Sequence, residues 1–334
     1  MDPQSVDRHD VARTDWFVAS DHGIEIFVRE LRPSVPARTS LLLVHGGGPG
    51  GVASFDLPVP GYSLAEAFAR VGHLVYVMDA RGWGGSTRPP ALEQPASANP
   101  PAVRSDEVVR DIDAVVRAIR GEDSTRRVAL LGWATGGHWC AMYATQHPAA
   151  VSHLVMLNSL YGVDAPWQLS RAFEAPNRPG EFDPGTGAYG LRTAPGLLAR
   201  WDSSIPTADK GEWRDPRVAE AYVREALASD PASGTYTPPA MRIPSGFQLD
   251  SYEMSRGRRF WEAGNVRVPT LVVRGERDFW SRPEDLEALE RELAAAPRVR
   301  TVTIPGGTHY LFNDRAERGR ERFVEEVVEF LAPD

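Results

Sequence analysis

Short runs of apolar residues recur along this 334-residue chain, and stretches with helical periodicity separate them. A brief, uninterrupted apolar run is typical of a strand buried on both faces of a sheet. Strands are predicted at 16–20, 24–31, 41–44, 74–78, 128–131, 154–157, 271–273 and 299–304. Their alternation with helical segments favours an α/β protein with a mostly parallel, doubly wound sheet covered by helices on both sides.

The clearest helical segment is 105–120. It places Val108, Ile112, Val115 and Ile119 at three- and four-residue spacing, which gives one apolar stripe on an amphipathic helix. We therefore expect this helix to pack against a flat apolar surface such as the sheet.

One stretch, residues 160–262, interrupts the alternation. It is rich in proline, glycine and aromatic residues, and it has a helical pattern at 216–228. A structureless loop of that length is improbable in a compact domain. We expect an inserted, mainly helical lid in 160–262 over a core formed by 1–159 and 263–334. A peripheral layer with its own small core explains the aromatic residues equally well.

Composition and charge exclude several functions. The chain has 37 Lys+Arg against 45 Asp+Glu, a net charge of -8, and no basic face of the kind that nucleic acid requires. Cys140 is the single cysteine, so neither an internal disulfide nor a thiolate cluster forms. The histidines lack metal-ligand spacing, so we expect no metal, and no cofactor is predicted.

The sequence also indicates where in the cell the protein is found. No run approaches the roughly 18–20 apolar residues of a membrane-spanning helix, and the first ten residues lack the pattern of a secretory signal. We expect a cytoplasmic protein that does not bind a membrane and acts on a small molecule. The oligomeric state stays open.

Residues 132–137 read Gly-Trp-Ala-Thr-Gly-Gly, between a predicted strand and a helical segment. This order is typical of a nucleophile elbow, in which a strained central residue projects its side chain above the sheet. The N–H groups of the following helix favour negative charge at the same point. The central residue here is Ala134, which has no nucleophilic atom.

Two glycine-rich motifs also follow predicted strands: residues 45–51 read His-Gly-Gly-Gly-Pro-Gly-Gly, and residues 79–86 read Asp-Ala-Arg-Gly-Trp-Gly-Gly-Ser. Together with the elbow, these motifs make the chain resemble proteins of the α/β-hydrolase fold, most of all the branch of prolyl iminopeptidases and related esterases, lactonases and thioesterases. The resemblance implies an oxyanion hole made by backbone N–H groups of Gly47 or Gly48 and Thr135. Dinucleotide binding is disfavoured, because Pro49 stands where a phosphate-facing helix would begin.

The family's acid and histidine follow the nucleophile in chain order. Asp278 resembles the acid and His309 the histidine, because each comes shortly after a predicted strand. A buried carboxylate would fix the imidazole tautomer, while the other ring nitrogen takes the nucleophile's proton. Glu276 is the alternative acid. The residues expected to line the substrate pocket are Trp133, His138, Trp167, Phe279 and Tyr310, although helix packing is an alternative role for His138.

Ala134 has two interpretations. In the first, the parental enzyme has a serine there, and this chain carries a substitution that keeps an ester or thioester intact. In the second, the natural protein has lost its nucleophile and serves as a ligand receptor, or as a lyase or cyclase through His309. The retention of Asp278, His309 and the small elbow residues favours the first. A parental aspartate stays open, although the Thr-Gly-Gly after the elbow resembles the serine branch more.

The function predicted for the parental enzyme is acyl transfer on an ester, thioester, lactone or amide. A serine attacks the carbonyl, His309 acts as base and then acid, and Asp278 orients His309. Water completes hydrolysis, or a hydroxyl or amine of the substrate closes a ring. The aromatic lid indicates a bulky apolar acyl group. Aminopeptidase activity would need lid carboxylates for a free amine, and the candidates are Glu174, Glu181, Asp183 and Glu212.

Overall fold

The computed structural model describes residues 11–123 and 125–332. The first ten residues, to which the expectation about a secretory signal refers, lie outside the described part. The strands are β1 (Ala12–Ala19), β2 (Glu25–Arg32), β3 (Thr39–Val44), β4 (His73–Met78), β5 (Val128–Trp133), β6 (Val151–Leu157), β7 (Glu174–Ala175), β8 (Arg178–Phe182), β9 (Tyr189–Thr193), β10 (Ala240–Pro244), β11 (Thr270–Arg277) and β12 (Val299–Thr308).

The α-helices are α1 (Gly51–Phe55), α2 (Leu64–Arg70), α3 (Ser105–Arg120), α4 (Thr135–Gln146), α5 (Ser170–Phe173), α6 (Ala194–Ser204), α7 (Pro216–Ala228), α8 (Gly246–Ser255), α9 (Pro283–Glu292) and α10 (Arg320–Phe330). The predicted stripe on α3 is confirmed: Val108, Ile112 and Val115 are fully buried, and Ile119 is nearly so.

One eight-stranded sheet forms the centre, in the order β1-β2-β4-β3-β5-β6-β11-β12. β1, β2 and β4 pair antiparallel, whereas the remaining neighbours pair parallel. The predicted mostly parallel sheet is therefore confirmed. Because parallel strands point the same way, the loops after β3, β5, β6, β11 and β12 open at one edge of the sheet.

The segment between β6 and β11 leaves the sheet and returns to it, since these two strands are neighbours. We call residues 160–262 the inserted segment. It contains α5 to α8 and two small antiparallel sheets, β7 with β8 and β9 with β10. Several of its aromatic side chains, including Trp201 and Tyr222, are buried. No helix in the described part of the chain combines the length and apolar character needed to cross a bilayer.

Glycines allow β3, β5 and α4 to approach closely at the elbow. A Cβ on Gly132 would lie 2.2 Å from the carbonyl oxygen of Gly136, and one on Gly136 would lie 2.3 Å from that of Val44. Such short distances to backbone atoms leave no room for a methyl group. The absence of side chains at these glycines thus allows the strand, the turn and the helix to pack in this arrangement.

We expect Gly132→Ala to lower the free energy of unfolding by about 1–3 kcal/mol, because the added methyl group must displace backbone. Urea denaturation would measure the change. Gly234→Ala is the matched control: Gly234 is exposed and has no atom within 4 Å of its Cβ position. Equal stability of the two variants would contradict the packing argument.

Candidate active site

Ala134 lies at the junction of β5 and α4 in a backbone conformation that side chains rarely adopt. Its φ is 53° and its ψ is -118°, and its N–H donates to the Leu157 carbonyl at 2.8 Å. A non-glycine residue at positive φ is strained and persists only where the surroundings impose it. The elbow geometry therefore survives with alanine in its central position.

The glycine loop after β3 lies beside the elbow. A Cβ on Gly46 would lie 3.0 Å from the Ala134 Cβ and 3.6 Å from the Thr135 nitrogen. Gly47, Gly48 and Thr135 all line the same cavity as Ala134. A Cβ on Gly47 would lie 2.2 Å from the Phe247 ring, so α8 closes over this loop. The glycine loop and the start of α4 thus lie side by side at residue 134.

His45 fixes the conformation of the glycine loop. Its Nε2 accepts the Ala80 N–H at 3.0 Å, so its Nδ1 carries the proton and donates to the Gly46 carbonyl at 2.7 Å. Burial lowers the pKa of His45, which favours the neutral imidazole. Asp79 joins the two glycine motifs by accepting the N–H groups of Gly51, at 2.6 Å, and Gly85, at 2.9 Å.

Asp278 and His309 meet across the loops that follow β11 and β12. The His309 Nδ1 lies 2.6 Å from the Asp278 Oδ1, and both residues are buried. Asp278 also accepts the N–H groups of Trp280 at 3.0 Å and Ser281 at 2.8 Å, together with the Ser281 hydroxyl. This carboxylate orients the ring so that Nε2 is left for a reacting group. Glu276 is exposed and accepts the Gly306 N–H at 2.7 Å instead.

Asn158 connects β11, the strand before Asp278, to the loop that carries His309, which we call the histidine loop. Sequence reasoning missed this role. Its Oδ1 accepts the Gly275 N–H at 2.7 Å, and its Nδ2 donates to the His309 carbonyl at 3.0 Å. The same carbonyl accepts the Trp133 indole N–H at 3.0 Å. Asn158 has a φ of 52°, which asparagine tolerates better than most residues. An asparagine directly after a predicted buried strand was the available signal.

A cavity of about 480 Å³ opens above Ala134. His309 lies in its wall within a group of aromatic rings, with ring centroids 4.5 Å from Phe279, 5.0 Å from Trp133 and 5.3 Å from Tyr310. These three residues, which the sequence suggested for the pocket, all line the cavity. The remaining wall comes mostly from the inserted segment.

Two other residues expected in the pocket, His138 and Trp167, are not among those that line this cavity. His138 is fully buried within α4, where its Nδ1 accepts the Trp261 indole N–H at 3.0 Å and its Nε2 donates to the Ser105 hydroxyl at 3.0 Å. Burial lowers its pKa to about 3, so it packs as a neutral ring. This placement agrees with the helix-packing role that the sequence also allowed for His138, because its ring is turned toward α3 and not toward the cavity.

Trp167 lies one layer behind the cavity. Its indole N–H donates to the Trp280 carbonyl at 2.8 Å, and its ring stacks on Phe173 at 5.3 Å between centroids. Both Trp280 and Phe173 do line the cavity. Trp167 therefore supports the wall instead of forming it, which corrects the expectation of direct contact.

No Asp or Glu side chain is among the residues that line the cavity. The charged residues in that lining are Arg192 and Arg200, apart from the titratable His309. The lid carboxylates considered for amine recognition, Glu174, Glu181, Asp183 and Glu212, are thus outside this wall. A substrate with a free amine would find no counter-charge there.

Asp314 joins the inserted segment to the histidine loop. It is fully buried, accepts the Trp201 indole N–H of α6 at 2.8 Å, and binds the Thr308 N–H at 3.1 Å and hydroxyl at 2.8 Å. Burial raises the pKa of Asp314 to about 6, although these donors oppose the shift. Its protonation therefore affects how firmly α6 and the loop before His309 are held.

The strand-turn-helix elbow, the acid–histidine pair and the glycine loop at one edge of a mostly parallel sheet define an α/β-hydrolase-fold protein. More specifically, the chain belongs to the serine aminopeptidase S33 family, whose model matches residues 37–316. Family and relatives are hydrolases and acyltransferases of this fold.

Individual similarities agree with this class. A probable 1-acylglycerol-3-phosphate O-acyltransferase of Oryza sativa subsp. japonica is 24% identical in an alignment that covers 97% of this chain and 75% of that protein. An esterase from Exiguobacterium antarcticum superposes with a TM-score of 0.61 at 15% identity, covering 95% of this chain and 99% of the esterase. The thioesterase domain from the curacin biosynthetic pathway gives 0.59 at 16% identity, with 95% and 99% covered. These two structural likenesses show the fold alone.

We expect the buried Asp314 to make stability depend on pH. Its folded-state pKa of about 6 exceeds the ordinary value of 3.8, so the folded state holds its proton more tightly than the unfolded state does. Stability from this group is full below pH 3.8 and is lost as the pH rises through about 6. Between these limits the chain should lose about 3 kcal/mol relative to Asp314→Asn. Urea denaturation of both proteins across this range would measure it, and parallel curves would contradict it.

Proposed function

We propose that this chain has the active site of an acyl-transferring serine hydrolase in which Ala134 occupies the position of the nucleophilic serine. The observation that carries the proposal is the Asp278–His309 pair, joined at 2.6 Å, beside an elbow that keeps its strained backbone at Ala134. Strain of this kind has no structural benefit, since a relaxed turn would be more stable. The need to present a nucleophile to His309 would account for the strained backbone at residue 134.

In the parental reaction, a serine Oγ at position 134 attacks the carbonyl carbon of the substrate, and His309 Nε2 takes the hydroxyl proton. The tetrahedral intermediate collapses when the bond to the leaving group breaks, and His309 gives the proton to that group. Water then attacks the acyl-enzyme with His309 again as the base, which releases the acid and restores the serine. Asp278 stabilises the imidazolium in both steps.

Backbone N–H groups of Gly47 or Gly48 and Thr135 bind the oxyanion in this proposal. These residues line the same cavity as Ala134, and α4 adds the positive end of its dipole. Each such donor is typically worth about 10²–10³ in rate. The inserted segment acts as the lid, because α6, α7 and α8 supply wall residues and Phe247 covers the glycine loop.

The substrate is an ester or thioester with a bulky apolar acyl group. Aromatic and aliphatic side chains form most of the cavity wall, as expected for a site that excludes water from such a group. Acyl chemistry is also what the names of the similar proteins describe: an O-acyltransferase, an esterase and a thioesterase. An aminopeptidase reaction is disfavoured, because no carboxylate lines the cavity to pair with the free amine of such a substrate.

A second candidate function is ligand binding, or lyase or cyclase chemistry through His309, in a protein that naturally lacks the nucleophile. Ala134 itself is the observation that favours it. Against it stands the geometry around residue 134, since a receptor has no use for the tight Asp278–His309 pair.

We expect Ala134→Ser to become labelled by a fluorophosphonate probe and to turn over activated esters and thioesters, on the order of 10⁶-fold faster than the chain with Ala134. The reason is that the serine hydroxyl would share the cavity with His309, which is paired with Asp278. Gel fluorescence would report labelling, and release of the leaving group would report turnover.

The double variant Ala134→Ser/His309→Ala is the matched control, because it keeps the hydroxyl and removes its base. Labelling and turnover should both be lost in it. A folded Ala134→Ser variant that neither reacts with the probe nor hydrolyses any of the esters would contradict the proposed function and favour the ligand-binding alternative.

A further inference from the structure

Two arginines of the inserted segment, Arg192 in β9 and Arg200 in α6, line the cavity above Ala134. Both residues are exposed to solvent. They bring two positive charges to the substrate cavity of a chain whose net charge is -8. Their position therefore requires an explanation that the hydrolytic machinery does not provide.

Within the described residues, neither guanidinium has a carboxylate partner. The Arg192 Nη1 donates to the Leu191 carbonyl at 3.1 Å, which does not neutralise its charge. Other arginines of the chain are matched with acids: Arg242 binds Asp230 at 2.7 Å, and Arg282 binds Asp285 at 2.8 Å. Two neighbouring cations without an anion repel each other, and a bound anion would relieve that repulsion.

Packing places this pair close to the reacting centre. Trp201, the residue after Arg200, stacks on Tyr310 with 4.9 Å between ring centroids, and Tyr310 directly follows His309. The Arg200 charge also opposes the rise in the pKa of Tyr310 that burial causes, as does the charge of Arg214. A substrate that reaches residue 134 can thus extend along Tyr310 toward the arginines.

The side chains that line the cavity favour binding of an anionic group. Guanidinium forks form paired hydrogen bonds with carboxylate or phosphate oxygens. No acidic side chain is present in the cavity wall to compete for them. We propose that the substrate carries an anionic group, a carboxylate or a phosphate, which binds Arg192 and Arg200 while its acyl carbonyl lies at residue 134. This inference rests on the proposed function and names the substrate class of that site.

The chain with Ala134 allows a test that needs no turnover, because an ester bound to it stays intact. Titration calorimetry would compare three esters: monoethyl adipate, which carries a carboxylate; the terminal phosphate ester of ethyl hydroxyhexanoate; and diethyl adipate, which is neutral. We expect at least one anionic ester to bind about tenfold more tightly than the neutral ester, a preference that added salt weakens. The tighter of the two anionic esters identifies the group.

Arg192→Gln/Arg200→Gln should abolish this preference, so that the double variant binds the anionic esters no more tightly than diethyl adipate. Arg224→Gln is the matched control, because Arg224 is an exposed arginine in α7 of the same segment that pairs with Glu225 and does not line the cavity. It should keep the preference. Equal binding of all three esters, binding of neither anionic ester, or a preference that survives the double substitution would overturn the proposal.

Failure of this inference can be told apart from failure of the proposed function. Labelling of Ala134→Ser by the fluorophosphonate depends on the nucleophile and His309, not on the arginines. A labelled serine variant without an anion preference would leave an acyl-transferring enzyme with a neutral substrate.

Discussion

The candidate active site depends on the close approach of three backbone segments at the end of β5. Gly46, Gly132 and Gly136 have no side chains, and a Cβ on any of them would lie within 3.0 Å of a neighbouring atom. This packing holds Ala134 at positive φ and sets the start of α4 against the glycine loop. Strain at one residue is thus balanced by the packing of the sheet around it.

The remaining site residues are positioned from the same edge of the sheet by buried polar contacts. Asn158 connects the strand before Asp278 to the carbonyl of His309, and Asp314 connects the histidine loop to α6 of the inserted segment. Each of these side chains replaces water for backbone groups that would otherwise be buried without a partner. Hydrogen bonds therefore connect Asp278, His309 and the inserted segment through Asn158 and Asp314.

Most of the sheet and the positions of Ala134, Asp278 and His309 could be predicted from sequence, because each motif directly follows an apolar strand and parallel strands end at a common edge. The cavity wall could not be predicted in the same way. His138 stands near the elbow in sequence, yet its helical position directs it to Ser105 and Trp261. Arg192 comes from the part of the inserted segment before the helical pattern at 216–228, where no periodic pattern indicates which residues face the cavity.

The most direct test of the central claim is to map the acyl group that a substrate leaves on Ala134→Ser. The variant would be mixed with a p-nitrophenyl ester, quenched in acid after a short reaction, digested and analysed by mass spectrometry. The account predicts an acyl group on the peptide that contains residue 134, and none there in the protein with Ala134. Turnover without an acyl group at residue 134, or acylation of a different residue, would contradict it.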